Sequence, residues 1–150
     1  MRNDVLQMVF ALPVLVLGAG CEELLPKFFG VGFPVLLTAV QFLAVRTGLA
    51  VAALLAVAAG ALEDAVSALT PMTSVSYFLI VAAVVRWSGL PRGIAAFTYA
   101  GYQLWLAVWL GGVNVFTRIL LAFPLGLVTA FAVAGLMAWA IRKAAIDEFG

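Results

Sequence analysis

The sequence predicts an all-α integral membrane protein, a bundle of six transmembrane helices, and three observations carry that prediction. Hydrophobic residues make up 66% of the chain and charged ones only 10%, where a soluble domain keeps about a quarter of its residues charged to wet its surface. The few charges sit between long apolar stretches instead of running through them. No segment alternates apolar and polar residues as the strands of a membrane barrel do. Backbone groups cannot stay unpaired in lipid, so these Val-rich segments must be helices. At 150 residues the chain is one polytopic domain, residues 1–150, with no hydrophilic stretch long enough for an extramembrane unit.

The first apolar segment runs from Val5 to Gly20. It follows Met1-Arg2-Asn3-Asp4 and reads as a retained span, because its removal as a signal would leave a still more hydrophobic remainder. From Gly18 to Gly32, Glu22, Glu23, Lys27 and several large apolar residues read as an interfacial segment, with both glutamates as solvated loop charges. The second segment covers about Phe33 to Val45 and opens on Pro34, where a missing N–H costs little. The third covers Gly48 to Leu62 and the fourth Met72 to Val85, with a turn at Thr70-Pro71 between them. Ser88-Gly89-Leu90-Pro91-Arg92 turns the chain into the fifth, Gly93 to Gly111, and the sixth runs from Ile119 to Ile141. A crossing takes about 20 residues, so the second, third and fourth segments borrow flanking residues such as Phe28, Phe29 and Ala65 to Leu69. Pro13 and Pro124 are expected to kink their spans. No repeat or inverted symmetry is evident.

The cations set the orientation. With six spans and a cytoplasmic N-terminus, the inner segments carry Arg2, Arg46, Arg86, Arg92, Arg142 and Lys143, and the outer ones only Lys27 and Arg118. The positive-inside rule therefore places both termini in the cytoplasm.

The same composition excludes several functions. A net charge of +1 leaves no basic face for nucleic acid. Cys21 is the sole cysteine, so no internal disulfide forms. The absence of histidine removes the commonest general base and transition-metal ligand. Paired carboxylates have no partner nucleophile or metal-ligand spacing, so no enzyme activity, metal or cofactor is expected.

The conspicuous polar pair is Glu63-Asp64 at the end of the third span. Ionisable groups near membrane depth usually face the bundle or a water-filled cavity. Adjacent helical residues point about 100° apart, so one faces inward while the other reaches the interface. The pair is a polar anchor for a partner, a binding site on the outer half, or ordinary helix-end charge at the headgroups. Gly48, Ala52, Ala56 and Gly60 form a small-residue stripe that lets another helix approach closely. On the fifth span Tyr102, Trp105 and Trp109 share one face. Trp109 and Tyr99 read as interfacial anchors, while Tyr102 and Trp105 are open to a ligand or a protein contact.

The order of these features resembles MreD, the small membrane subunit of the bacterial rod-shape (elongasome) system. The resemblance is carried by Pro34-Val35-Leu36-Leu37 at the second segment, Arg46 in a short turn, and an Ala- and Gly-rich helix ending in Gly60-Ala61-Leu62-Glu63-Asp64-Ala65-Val66-Ser67. That ending is similar to the family's Gly-x-x-x-Asp signature. The apolar run from Tyr77 to Val85 and the basic Arg142-Lys143 at the last span complete it. The family's glycine shortly after the aspartate is replaced here by a stretch containing Ala68 and Pro71. The resemblance implies a non-enzymatic scaffold in the bacterial inner membrane that holds the single span of an MreC-like bitopic protein, and through it serves MreB and the peptidoglycan synthases. It makes Asp64 the inward-facing acid. The implied partner-binding residues are Glu63 and Asp64, with Ala56 and Gly60 allowing close approach and Tyr102 and Trp105 in support.

MreD is similar in architecture to the S components of energy-coupling-factor (ECF) vitamin transporters, and the fold class is expected to be S-component-like. The alternative function is that of such a substrate-binding subunit. It would need a cavity open to the outside, lined by polar and aromatic groups, and typically an Ala-x-x-x-Ala pattern in the first helix, which Val9 to Gly18 lacks.

Overall fold

Every regular element among the described residues is helical. The computed structural model describes residues 2–30, 32–88, 92–111 and 114–149. They form α1 (Arg2–Phe29), α2 (Val35–Arg46), α3 (Leu49–Val66), α4 (Thr73–Ser88), α5 (Arg92–Leu110) and α6 (Val115–Phe149). The centre of the expected Ser88–Arg92 turn lies outside the described residues, as do the side chains of Arg2 and Arg92.

The helix ends follow from local chemistry. α1 stops where Gly30 takes φ +73° and donates its N–H to the Pro26 carbonyl at 2.9 Å. This left-handed cap suits glycine because it has no Cβ. Gly111, with φ +66°, ends α5 in the same way. α3 ends with Ala68 at φ +52° and the Leu69 N–H on the Asp64 carbonyl at 2.8 Å, the six-to-one bond of a Schellman turn. Among the described residues, Ala68 is the one residue with a Cβ at the left-handed position of such a helix C-terminus.

The expected loop around Glu22 and Glu23, within the segment from Gly18 to Gly32, is corrected to helix. It continues α1 as far as Phe29, because the helix absorbs Pro26, as it absorbs Pro13, and meets no stop signal before Gly30. α6 likewise runs through Pro124 and continues past Arg142-Lys143, where Ala144 and Ala145 are good helix formers.

Two helices, Leu49–Val66 and Val115–Ala140 within α6, are long and apolar enough to cross a membrane. α2 and α4 are apolar but shorter. The 12 residues of α2 rise about 1.5 Å each, or about 18 Å in all. α2 is nonetheless central, touching α1, α3, α4, α5 and α6. Leu36 to Phe42 and Ala44 are all buried, as expected of a helix that is apolar on every face.

Its two buried polar side chains each make one hydrogen bond. The Thr38 hydroxyl donates to the Pro34 carbonyl at 2.7 Å, and Gln41 donates from its amide to the Thr98 hydroxyl of α5. α3 and α4 pack most intimately. A Cβ added at Gly60 would lie 2.5 Å from Val75 Cα and 2.7 Å from its nitrogen, so the small-residue stripe serves an internal contact there. α5 and α6 form a hairpin that meets the rest through α2 and α4, with Phe97 and Phe123 edge to face at 5.2 Å. Large apolar side chains such as Leu17, Phe97, Val108 and Leu136 remain exposed on the outside.

Candidate functional site: a capped corner and an acidic cavity

The first turns of α2 and α4 each receive a side-chain acceptor from the preceding helix. Pro34 precedes α2 and offers no side-chain cap. Glu22 of α1 supplies it, its Oε1 accepting the Leu36 N–H at 2.6 Å. Asp64 of α3 does the same for α4, with Oδ1 accepting the Ser74 N–H at 2.8 Å. A carboxylate at a helix N-terminus satisfies an orphan donor and complements the positive end of the helix dipole. At the other end of α2, the Arg86 guanidinium donates to the carbonyls of Ala44, at 3.2 Å, and Thr47. A charge of the appropriate sign therefore closes each end of the central helix.

At the capped end lies a cavity of about 230 Å³. Glu22, Glu63, Tyr99, Tyr102 and Gln103 give it polar walls, and Leu37 and Phe78 are among its apolar ones. Glu63 Oε1 accepts the Ser67 hydroxyl at 3.0 Å. The Tyr102 hydroxyl shares a hydrogen bond with Ser74 at 2.6 Å, which links the wall to the first turn of α4. The Tyr99 hydroxyl points to the Gly32 carbonyl at 3.5 Å. No Lys or Arg lines the cavity among the described residues. Lys27 is instead paired outward with Glu23 at 3.4 Å, both side chains exposed. Burial, and then the neighbouring Glu63 carboxyl, push the Glu22 carboxyl well above its ordinary range, and the Leu36 N–H pulls the other way.

Beside the cavity Tyr77 stacks obliquely against Tyr102 at 5.3 Å and against Trp105 at 5.9 Å. The Trp105 indole N–H donates to the Thr73 carbonyl at 3.0 Å, and the Tyr77 hydroxyl donates to the Thr98 carbonyl. These polar contacts fasten α5 to α4.

The sequence-predicted residues divide accordingly. Glu63 and Tyr102 line the cavity, whereas Ala56, Gly60, Asp64 and Trp105 do not. Ala56, Gly60, Asp64 and Tyr102 are buried in the bundle, while Glu63 and Trp105 are half-buried. Asp64, 6% exposed, is the inward acid and keeps a buried Oδ2 without a partner. Any part these four buried residues take in holding a partner is indirect, through the packing of α3, α4 and α5.

The reading of Glu22 as a solvated loop charge is corrected. It lies within α1, is half-buried and faces the cavity, because the N-terminus of α2 needs its oxygen. Glu23 alone is solvated. A signal for this was present: Pro34 cannot cap α2, so the acceptor has to come from elsewhere in the chain. No family model, curated protein or solved structure matches the chain.

Proposed function

We propose that the chain is a six-span bundle of the bacterial cytoplasmic membrane, with both termini inside. In this reading it acts as a non-enzymatic scaffold of the cell-elongation machinery, as its resemblance to MreD implies. The observation that supports this reading most is the mechanical role of Gly60 and Asp64, the two residues on which the resemblance chiefly rests. Gly60 admits the backbone of Val75, and Asp64 caps the helix that Val75 belongs to.

This corner fixes a surface at one end of the bundle. Glu63 and Trp105 are half-buried there, and the exposed Trp109 lies against Trp105 with ring centroids 6.0 Å apart. An MreC-like bitopic protein would dock its single span against this surface, with MreB and the peptidoglycan synthases reached through it. Close packing and a few polar contacts would hold it, since apolar burial offers little driving force in lipid. Glu63 and Trp105 would touch the partner, and Asp64, Ala56, Gly60 and Tyr102 would hold the surface in shape from within.

The short α2 and α4 fit this arrangement because α2 is shielded by protein on nearly every face and α4 leans against it. The test is a mild-detergent pull-down of the full chain from native membranes, with mass spectrometry of proteins and small molecules. Recovery of a bitopic cell-shape protein without a small molecule supports the scaffold. Asp64→Ala should then weaken that recovery while membrane insertion persists.

One observation favours a second reading, the substrate-binding subunit of an energy-coupling-factor transporter. The capped end contains a cavity with polar and aromatic walls, at the end that the positive-inside rule places outside. Recovery of a vitamin or of an ATPase-linked coupling subunit in the same pull-down would replace the scaffold with this reading.

A further inference from the structure

The cavity has a chemistry of its own, whichever of those two readings holds. Its volume of about 230 Å³ falls below the roughly 300–1,000 Å³ of pockets for drug-sized ligands, so its occupant is a small molecule. Its polar lining is dominated by acceptors. Two carboxylates, from Glu22 and Glu63, reach it from different helices, beside the Gly32 backbone and the Ser67, Tyr99, Tyr102 and Gln103 side chains. No cationic side chain balances the acids there among the described residues. Carboxylates withdrawn from water need a compensating charge or a proton. Burial and the neighbouring Glu63 carboxyl push the Glu22 carboxyl well above its ordinary range, as expected where a carboxylate lacks a compensating cation.

The choice of cation follows from the remaining walls. A calcium ion takes six to eight oxygen ligands, and no group of three or more His, Cys, Asp or Glu residues that could hold a metal occurs among the described residues. Tyr99, Tyr102 and Phe78 supply aromatic surface instead, and aromatic faces attract organic cations. An anionic ligand would meet the like charge of the acids, and a neutral one would gain no charge–charge attraction from them.

We propose that this cavity binds a small organic ammonium ion, its nitrogen between the Glu22 and Glu63 carboxylates and its alkyl part against the Tyr102 and Phe78 rings. A cation competes with a proton for the Glu22 carboxyl, which is pushed up by burial, so binding weakens as the solution is made more acid. The groups that bear on this titration are Glu22 of α1, Glu63 of α3, and Tyr99 and Tyr102 of α5. α2 and α4 contribute no acid or base to the lining. Glu23 and Lys27 pair outward, and Asp64 is engaged with Ser74.

The test uses the full chain in lipid nanodiscs, titrated calorimetrically with n-butylammonium and tetramethylammonium, and with n-butanol and butyrate as neutral and anionic counterparts. The expected result is saturable binding of an ammonium probe with Kd below about 1 mM, weaker in acid and absent for butanol and butyrate. Glu63→Gln and Glu22→Gln should each weaken it about tenfold or more, and Glu23→Gln should leave it unchanged. Glu63 caps no helix, so its variant serves even where Glu22→Gln disturbs the fold. Failure of both ammonium probes to saturate, equal binding of butanol, or unchanged affinity in Glu63→Gln would overturn the proposal. Loss of ammonium binding with intact partner recovery would leave the scaffold standing. Ammonium binding with no partner recovered would do the reverse.

Discussion

Asp64 and Glu22 each supply a side-chain acceptor to the first turn of a neighbouring helix. Because Asp64 is buried and its Oδ1 bonds the Ser74 N–H, Asp64→Ala should cost about 2 kcal/mol of stability. Asp64→Asn, which keeps an acceptor, should cost less. Unfolding by a graded rise in SDS, followed by helical circular dichroism, checks both. Ala68 offers the opposite experiment. Its φ of +52° strains any residue with a Cβ, so Ala68→Gly should gain up to about 1 kcal/mol in the same assay. The family to which the chain bears a resemblance has a glycine shortly after its aspartate. Glu22 adds a pH dependence. Its folded-state pKa is raised above the ordinary 4.5, so the stability it contributes is complete below that value and is lost as pH rises through the raised pKa. Glu22→Gln should flatten that part of the stability-versus-pH curve. A mutant curve as steep as that of the parent would remove Glu22 as its source.

Pairs of helices are fitted to one another to different degrees. At the α3–α4 contact the Val75 backbone stands where a Gly60 side chain would be. A methyl group there has no flexible side chain to displace, so Gly60→Ala should cost about 1–3 kcal/mol by forcing the helices apart. Gly135 of α6 has nothing within 4 Å of the same construction, and Gly135→Ala should instead gain up to about 1 kcal/mol from helix propensity. Parallel SDS titrations of the two variants compare the sites directly. The positions of the helices were largely legible in the sequence, because apolar runs bounded by Gly, Pro and charges are local signals. The length of α1 was not. Glu22, Glu23 and Lys27 look like the charges of a loop until the N-terminus of α2, fourteen residues on, is seen to need one of them. The stripe from Gly48 to Gly60 was legible as a close-contact surface, but its partner, α4, follows only from three-dimensional packing.

Across the whole molecule, the α5–α6 hairpin joins the shared apolar core through residues such as Ala100 and Ala122, and α5 is pinned further by polar contacts: Gln41 to Thr98, Tyr77 to Thr98, Tyr102 to Ser74 and Trp105 to Thr73. The cavity lies along this seam, which explains why the candidate site was only half legible. Glu63 and Tyr102 were conspicuous as residues, but their meeting with Glu22 and Gln103 depends on how the hairpin docks. Tyr102→Phe removes one of these contacts and leaves Ser74 Oγ buried, at a cost of about 1 kcal/mol. Amide hydrogen exchange should quicken along α5 before it quickens in α3. The caps also impose an order in time. Glu22 is synthesised before α2 and Asp64 before α4, so each short helix emerges from the ribosome after the acid that will seal it. If the chain is the six-span bundle proposed above, α1 with α2, and α3 with α4, would enter the bilayer as capped hairpins.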